Sequence, residues 1–419
     1  MALEIAAEIV SQGQAAEVHI CPHRSPQPAV RNVPSKPASI SEISFMNLSG
    51  SHSTVFQQRK GLLKDPMPRH NYGGPSSFNG ETSESKSTTS LTAMSKIITV
   101  VGATGTQGGS VVNALHDLVD PTYTVRAITR NPSSAAAQSL LDKNIEVIKA
   151  DLHDLSSLIS AFKGSHAVFA VTNFFENLST HGIEGAMELE TNAGINLAKA
   201  AAATETLKHY VWSTLPDSKT NSGRRITVPY YESKNAVDRY IRSVPELLRK
   251  TTFVWLGWYA GNMAVPLYHP NRVCAFGETG GRNYVTFLGV DPATKVPLLG
   301  DEKVNVGLFV KAILEQPEKT LPGKTVSAVL EQRSIGDIVE AFGKAKGVQA
   351  RCVKIDREVY RVLWPVWGNV LDISHAYLED ADGRAFSAKE GEEVLVKEHL
   401  GVDGLAGIEE AFEKVPLLG

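Results

Sequence analysis

Cysteine is scarce in this chain: Cys21, Cys274 and Cys352 are the only three in 419 residues, and none belongs to a CxxC pair. That scarcity argues against a disulfide frame or a zinc site and fits a reduced, intracellular protein. Net charge is also slight, −3 from 42 basic and 45 acidic side chains. Such a balance gives no electrostatic case for nucleic acid or an anionic membrane as the main partner. Long apolar runs are missing too, and none approaches the roughly 20 residues needed to cross a bilayer. The N-terminal MALEIAAEIV carries Glu4 and Glu8 where a secretory signal would have a basic flank and an unbroken apolar core. The same acids argue against a mitochondrial presequence. The expectation is a soluble, cytoplasmic protein without a metal.

With 42% hydrophobic residues, the chain has ample material for a core and length for two or three domains. The first stretch is different in kind. From CPHRSPQPAVRNVPSKPAS through NYGGPSSFNGETSESKSTTS it is rich in Ser, Pro, Gly and Asn, with isolated hydrophobics. Such text buries too little apolar surface to offset its ordering entropy, so residues 1–94 are expected to be a disordered tail, with MALEIAAEIVSQ as a possible short helix. The tail reads either as a regulatory or targeting segment or as an appendage without chemistry. Met94 sits just before the first clear strand, so translation from there would still encode an entire domain.

From Ile97 onward the text alternates. IITVVG, TYTVRAIT, IEVIKA, HAVFAVT, HYVWST and TTFVWL are short β-branched runs. Between them lie segments with helical spacing, among them GSVVNALHDLV, SAAAQSLLDK, DLSSLISAFKG and EGAMELETNAGINLAKAAAAT. Buried runs separated by helices predict parallel βαβ units, hence an α/β Rossmann-type doubly wound sheet over residues 95–264. Past GWYAGNM the rhythm weakens, with VGLFVKAILEQ, SIGDIVEAFGKAKG and EEVLVKEHLG as expected helices. Residues 265–419 are read as a smaller α/β substrate-binding portion, partly interleaved with the first and covering the carboxyl ends of its strands. Ligand clefts lie at such junctions.

VVGATGTQGGSVVNAL sets Gly102, Gly105 and Gly108 directly after the first strand and at the start of the first helix. The first glycine permits a tight turn, the second lets backbone approach a pyrophosphate, and the third packs helix against sheet. The helix N-terminus then meets the negative charge. Thr104, Thr106 and Gln107 lie within the same loop and count with it as cofactor contacts. No GK[ST] follows the glycines, which argues against a P-loop kinase. VRAITRNPSS ends the second strand with Arg130 and Asn131 and no carboxylate. A cation there suits the 2′-phosphate of NADP(H), where an NAD site would carry Asp or Glu. Asp151, ending the third strand, falls near the adenine or caps its own loop.

The later strands end in polar residues. AVTNF brings Thr172 and Asn173 toward the nicotinamide ribose, and HYVWSTLPD presents Ser213 and Thr214. VPYYESKNAV then sets Tyr230 four residues before Lys234, on one face of a helix. Carbonyl reduction needs a proton donor at the substrate oxygen. A tyrosine serves when a neighbouring ammonium stabilises its phenolate, so Tyr230 is the expected acid, Lys234 its tuner and ribose contact, and Ser213 the residue that holds the oxygen. Tyr231 points about 100° away around the helix and is the poorer candidate. His166 and His209 open strands and are read as packing residues.

Together GATGTQGGSVV, TRNP, AVTNFFE, HYVWST and YYESKNAVDRYIRS resemble the NmrA-like branch of atypical short-chain dehydrogenase/reductases, from about Met94 to the C-terminus. The resemblance implies NADP(H) binding through Gly102, Gly105, Gln107, Gly108, Arg130, Asn173 and Lys234. WYAGNM matches the family's aromatic-x-x-Asn segment, which implies that Tyr259 and Asn262 line the substrate cleft. The family holds reductases and also dinucleotide-sensing regulators that bind proteins and catalyse nothing. Its regulators typically carry His where this chain has Tyr230. That residue favours an NADP(H)-dependent oxidoreductase acting on a carbonyl or conjugated double bond of a bulky, aromatic or polyketide-like metabolite in secondary metabolism. The sensor is the alternative.

Overall fold

The computed structural model describes residues 96–116, 123–273, 283–388 and 391–418. The expected tail, its short helix, Cys21 and Cys274 lie outside them. Counting helices of seven residues or more, the first half of the described chain runs β1 (Lys96–Val101), α1 (Thr106–His116), β2 (Tyr123–Thr129), α2 (Ala135–Asp142), β3 (Glu146–Lys149) and α3 (Leu155–Phe162). It continues with β4 (Ala167–Ala170), α4 (Phe175–Ala202), β5 (His209–Thr214), α5 (Pro229–Arg242) and β6 (Thr251–Leu256). The second half contains β7 (Trp258–Tyr259), β8 (Asn271–Val273), β9 (Asn283–Leu288), β10 (Lys295–Gly300), α6 (Glu302–Glu315), β11 (Thr325–Ala328) and β12 (Glu331–Ser334). It ends with α7 (Ile335–Ala345), β13 (Gln349–Lys354), α8 (Arg357–Leu363), α9 (Trp367–Ala381), β14 (Val394–Leu395) and α10 (Ile408–Lys414).

Eight strands form the main sheet in the order β14-β11-β6-β5-β4-β1-β2-β3, and each pairing is parallel. The β-branched runs are buried because helices cover both faces. Val111, Val112 and Leu115 of α1 pack with Phe309, Val310 and Ile313 of α6 on one side. On the other, Leu158 and Phe162 of α3 meet Leu197 of α4 and Val237 and Ile241 of α5. Strand order reverses at β1, which lies between β2 and β4. In open parallel sheets the ligand crevice opens outside the carboxyl ends of the strands at such a reversal.

The second half enters this sheet twice, through β11 and β14, and docks α6 on α1. That crossing is tight: Gly307 donates its amide to Ser110 Oγ at 2.9 Å. The remaining strands make two small sheets, β12-β10-β7 and β13-β9-β8. EEVLVKEHLG is not the helix its spacing suggests. Val394–Leu395 pairs with the open edge of β11, and only Lys397–Leu400 turns as a helix. Helices α8 and α9, the second of which supplies one wall of the site, were not among the sequence expectations. Their signal was present in the burial-competent spacing of Val370, Leu371, Ser374, Tyr377 and Leu378, all buried in α9.

Candidate active site

The loop after β1 does what its glycines allow. Gly102 takes φ +65° and its carbonyl accepts the Gly105 amide at 2.9 Å, closing the turn. A Cβ on Gly108 would stand 2.2 Å from the Gly102 carbonyl oxygen, so only glycine lets α1 start this close to the loop. Beyond it opens a cleft of about 390 Å³ lined by Gly102, Thr104, Gly105, Thr106, Gln107 and Gly108 on one side. Arg130, Asp151 and Asn173 line it as well, together with Glu176 and Glu190. A cleft at the sheet's reversal, floored by glycine backbone and opening on a helix start, fits a dinucleotide. The Asp151 carboxylate also accepts the His153 amide at 2.9 Å, so the residue both caps its loop and faces the cleft.

Arg130 is not alone, although no acid follows it in sequence. Its guanidinium pairs with the carboxylate of Glu176, brought over by the first turn of α4. The end of β2 itself carries no carboxylate, as its sequence shows; the acid beside Arg130 comes from a segment distant in sequence.

Lys234 is held in a buried network. Its Nζ donates to Glu190 Oε1 at 2.6 Å, Thr172 Oγ1 at 2.9 Å and the Thr172 carbonyl at 3.1 Å. Thr172 in turn donates to Glu190 Oε1 at 2.8 Å, and Ser233 donates to Oε2. An ammonium has three N–H donors, and three acceptors meet it here. Glu190 was missed in the sequence because nothing in an Ala-rich helix marks one of its carboxylates as inward-facing.

A second cavity, about 160 Å³, adjoins the cleft; Gln107 and Thr172 line both. Its walls are mostly apolar and aromatic, including Phe174, Phe175, Trp258, Tyr268, Trp367 and Phe386. Ser213, Tyr230, Lys234, Tyr259 and Asn262 also line it, so the residues expected on the reaction side share one chamber. Ser213 donates its hydroxyl to Gln107 Oε1 at 2.8 Å. The Tyr230 hydroxyl lies 2.7 Å from Ser374 Oγ on α9. Burial pushes the Tyr230 phenol up to about 12, while hydrogen bonds from Ser374 and Tyr231 pull the other way.

The expected tuning of Tyr230 by Lys234 is not the arrangement found. The ammonium is committed to Glu190 and Thr172, and the groups that favour the Tyr230 phenolate are the Tyr231 and Ser374 hydroxyls. Tyr231, set aside as pointing elsewhere, has its ring 4.9 Å from that of Tyr230, edge-on. Adjacent residues on a helix diverge at Cα, but two long phenols can reconverge at their tips. Beside them, Tyr268 and His375 Nε2 lie 3.0 Å apart. His209 is buried and bonded to Thr252 Oγ1 at 2.8 Å, away from this chamber.

Residues 94–411 match the model of the NmrA-like family. The chain belongs to that family. One NmrA-like relative, the domain-containing oxidoreductase hkm9 of Aspergillus hancockii, is 34% identical over 274 residues, covering 62% of this chain and 76% of that protein. Another, the NmrA-like oxidoreductase FrzB of a Cladobotryum species, is 29% identical over 290 residues, 65% of this chain and 78% of its own. Among solved structures, the negative transcriptional regulator NmrA in complex with NADP aligns with a TM-score of 0.56 at 22% identity, covering 76% of this chain and 95% of that one. At that identity the likeness shows the fold. The Rossmann expectation is met by it and by the parallel sheet. Among the described residues no helix is long and apolar enough to cross a membrane.

Proposed function

We propose that the protein is an NADP(H)-dependent oxidoreductase that reduces a carbonyl or conjugated double bond in a planar, largely apolar natural product. One observation carries the reading: a glycine-floored cleft and an aromatic chamber meet at Gln107 and Thr172, with a phenol on the chamber side. The relatives named as oxidoreductases agree with it. When bound, the dihydronicotinamide supplies a hydride. The chain supplies the rest. Gly102–Gly108 and the start of α1 would hold the pyrophosphate, Arg130 would meet the 2′-phosphate and Asn173 would face the ribose, while Lys234 fixes Thr172 and Glu190 where cleft and chamber meet.

Tyr230 would donate its proton to the substrate oxygen. The phenolate left behind is held by the hydroxyls of Tyr231 and Ser374 until solvent returns the proton. Ser213, steadied by Gln107, contributes a second polar contact for the oxygen. A chamber of about 160 Å³ is close to the ~150 Å³ that accepts a single benzene. A bulky substrate would therefore insert its reacting ring and leave the remainder outside. Quinones, cyclic enones and aryl ketones fit that description, and biosynthesis of secondary metabolites is the setting that such substrates and the fungal relatives favour.

One observation supports a second reading, a dinucleotide-sensing regulator. All three Lys234 donors already have acceptors inside the protein, an arrangement suited to a stable scaffold. The deciding experiment is NADPH oxidation across quinones, enones, aryl ketones and aromatic polyketides. Turnover of any of them supports the enzyme. Tight NADPH binding with no oxidation across the panel would overturn it in favour of the regulator.

A further inference from the structure

The pair at the edge of the cleft combines two recognition elements that dinucleotide sites normally keep apart. A carboxylate after β2 accepts the ribose 2′-hydroxyl of an unphosphorylated dinucleotide, and a cation there meets a 2′-phosphate. In this chain the cation is Arg130 and the carboxylate is Glu176, paired with each other and both lining the cleft. Their side chains are 64% and 40% exposed, so a ligand can reach either one. The other acids of the cleft are otherwise engaged: Asp151 accepts the His153 amide, and Glu190 is held by Lys234, Thr172 and Ser233.

We propose that Glu176 determines this cleft's choice between phosphorylated and unphosphorylated dinucleotides; the proposal rests on the dinucleotide reading above. With the pair intact, the edge is neutral and Glu176 presents an acceptor to a 2′-hydroxyl. A 2′-phosphate must take Arg130 from Glu176 and then lie beside a carboxylate of its own sign. The chain is thus able to use both dinucleotides, and its NADPH preference is weaker than Arg130 alone would give.

The segment carrying Glu176 is placed to report the exchange. Its neighbour Phe175 stacks on Trp367 at 4.9 Å and meets Tyr230 at 5.1 Å in the chamber. Helix α4 then breaks its geometry at Gly182 (φ 66°, ψ −175°), which separates the opening segment that carries Glu176 from the rest of the helix.

The test is equilibrium titration of the full chain with NADPH and with NADH, followed by nicotinamide fluorescence, for wild type, Glu176→Gln and Arg130→Ala. An exposed ion pair of this kind is worth up to about fivefold in an equilibrium, and a hydrogen bond to a charged group somewhat more. Glu176→Gln should therefore tighten NADPH about fivefold and weaken NADH several-fold, moving the affinity ratio by roughly tenfold or more. Arg130→Ala should move the ratio in the opposite direction. If Glu176→Gln leaves the ratio unchanged, the role of Glu176 is overturned while the dinucleotide reading stands. If wild type binds neither nucleotide, both fall. Circular dichroism of each variant separates an effect on the edge from a loss of fold.

Discussion

Lys234 Nζ and Glu190 Oε1 lie 2.6 Å apart, with side chains only 10% and 0% exposed. Breaking such a pair from one side strands the other charge away from water. Glu190→Gln should cost roughly 3 kcal/mol of folding stability, the lower end for buried pairs because the amide keeps one acceptor. Urea denaturation measures it. An unchanged midpoint would mean that the ammonium finds solvent through the chamber.

Tyr230→Phe should lower kcat by a factor of about 10² to 10⁴, the usual contribution of a positioned acid, with NADPH affinity nearly unchanged. Ser374→Ala should lower kcat by roughly tenfold, the value of one hydrogen bond to a charged group, and shift the alkaline limb of the pH profile upward. Equal rates in wild type and the Phe variant would remove Tyr230 from the chemistry.

Gly108→Ala tests the loop. The added carbon would fall 2.2 Å from one carbonyl oxygen and 2.4 Å from its carbon, both backbone atoms of Gly102 that have no rotamer to turn. The loop must move, and NADPH affinity should drop by at least about tenfold, one lost charge-assisted contact to the pyrophosphate being enough for that. Fluorescence titration gives the number.

The loop, the strands and the pairing of sheet with helix were legible because each rests on local text: β-branched runs, helical spacing and glycine spacing. The site was legible as a membership list and not as a set of contacts. Ser213, Tyr230, Lys234, Tyr259 and Asn262 do line one chamber. Their partners Glu190, Tyr231 and Ser374 were not foreseen, nor was Glu176 beside Arg130. Whether Lys234 turns to a phenol or a carboxylate depends on which acid a separate helix carries inward. Sequence spacing along α5 holds no record of that. The same holds for α9, whose apolar period marks a helix without saying which chamber it walls.

Acid stability carries opposing contributions whose signs can be assigned. Burial holds His209 and His375 down to about 4. The unfolded chain takes up these protons near pH 6.5, so their stabilisation is present above that value and is lost as pH falls toward 4. Asp238, which accepts from Trp212 Nε1 and Thr214 Oγ1, is raised by burial to about 6. Its contribution has the other sign: present below about pH 4 and lost as pH rises through 6. Each shift amounts to roughly 3 kcal/mol at 1.36 kcal/mol per unit. Thermal unfolding from pH 6.5 to 4 should show a net loss, and Asp238→Asn should steepen it by removing the compensating group. A variant curve parallel to wild type would refute the assignment to Asp238.

The carboxamide of Gln107 belongs to the glycine loop, yet it accepts the Ser213 hydroxyl on the chamber side. One planar group therefore answers to both occupants. On the proposed reading, a ring that draws Ser213 toward itself would change how that amide is oriented before any cofactor arrives, and a cofactor would do the same to the chamber. Thermodynamic reciprocity then requires that whatever factor the cofactor lends to substrate affinity is the factor the substrate lends back.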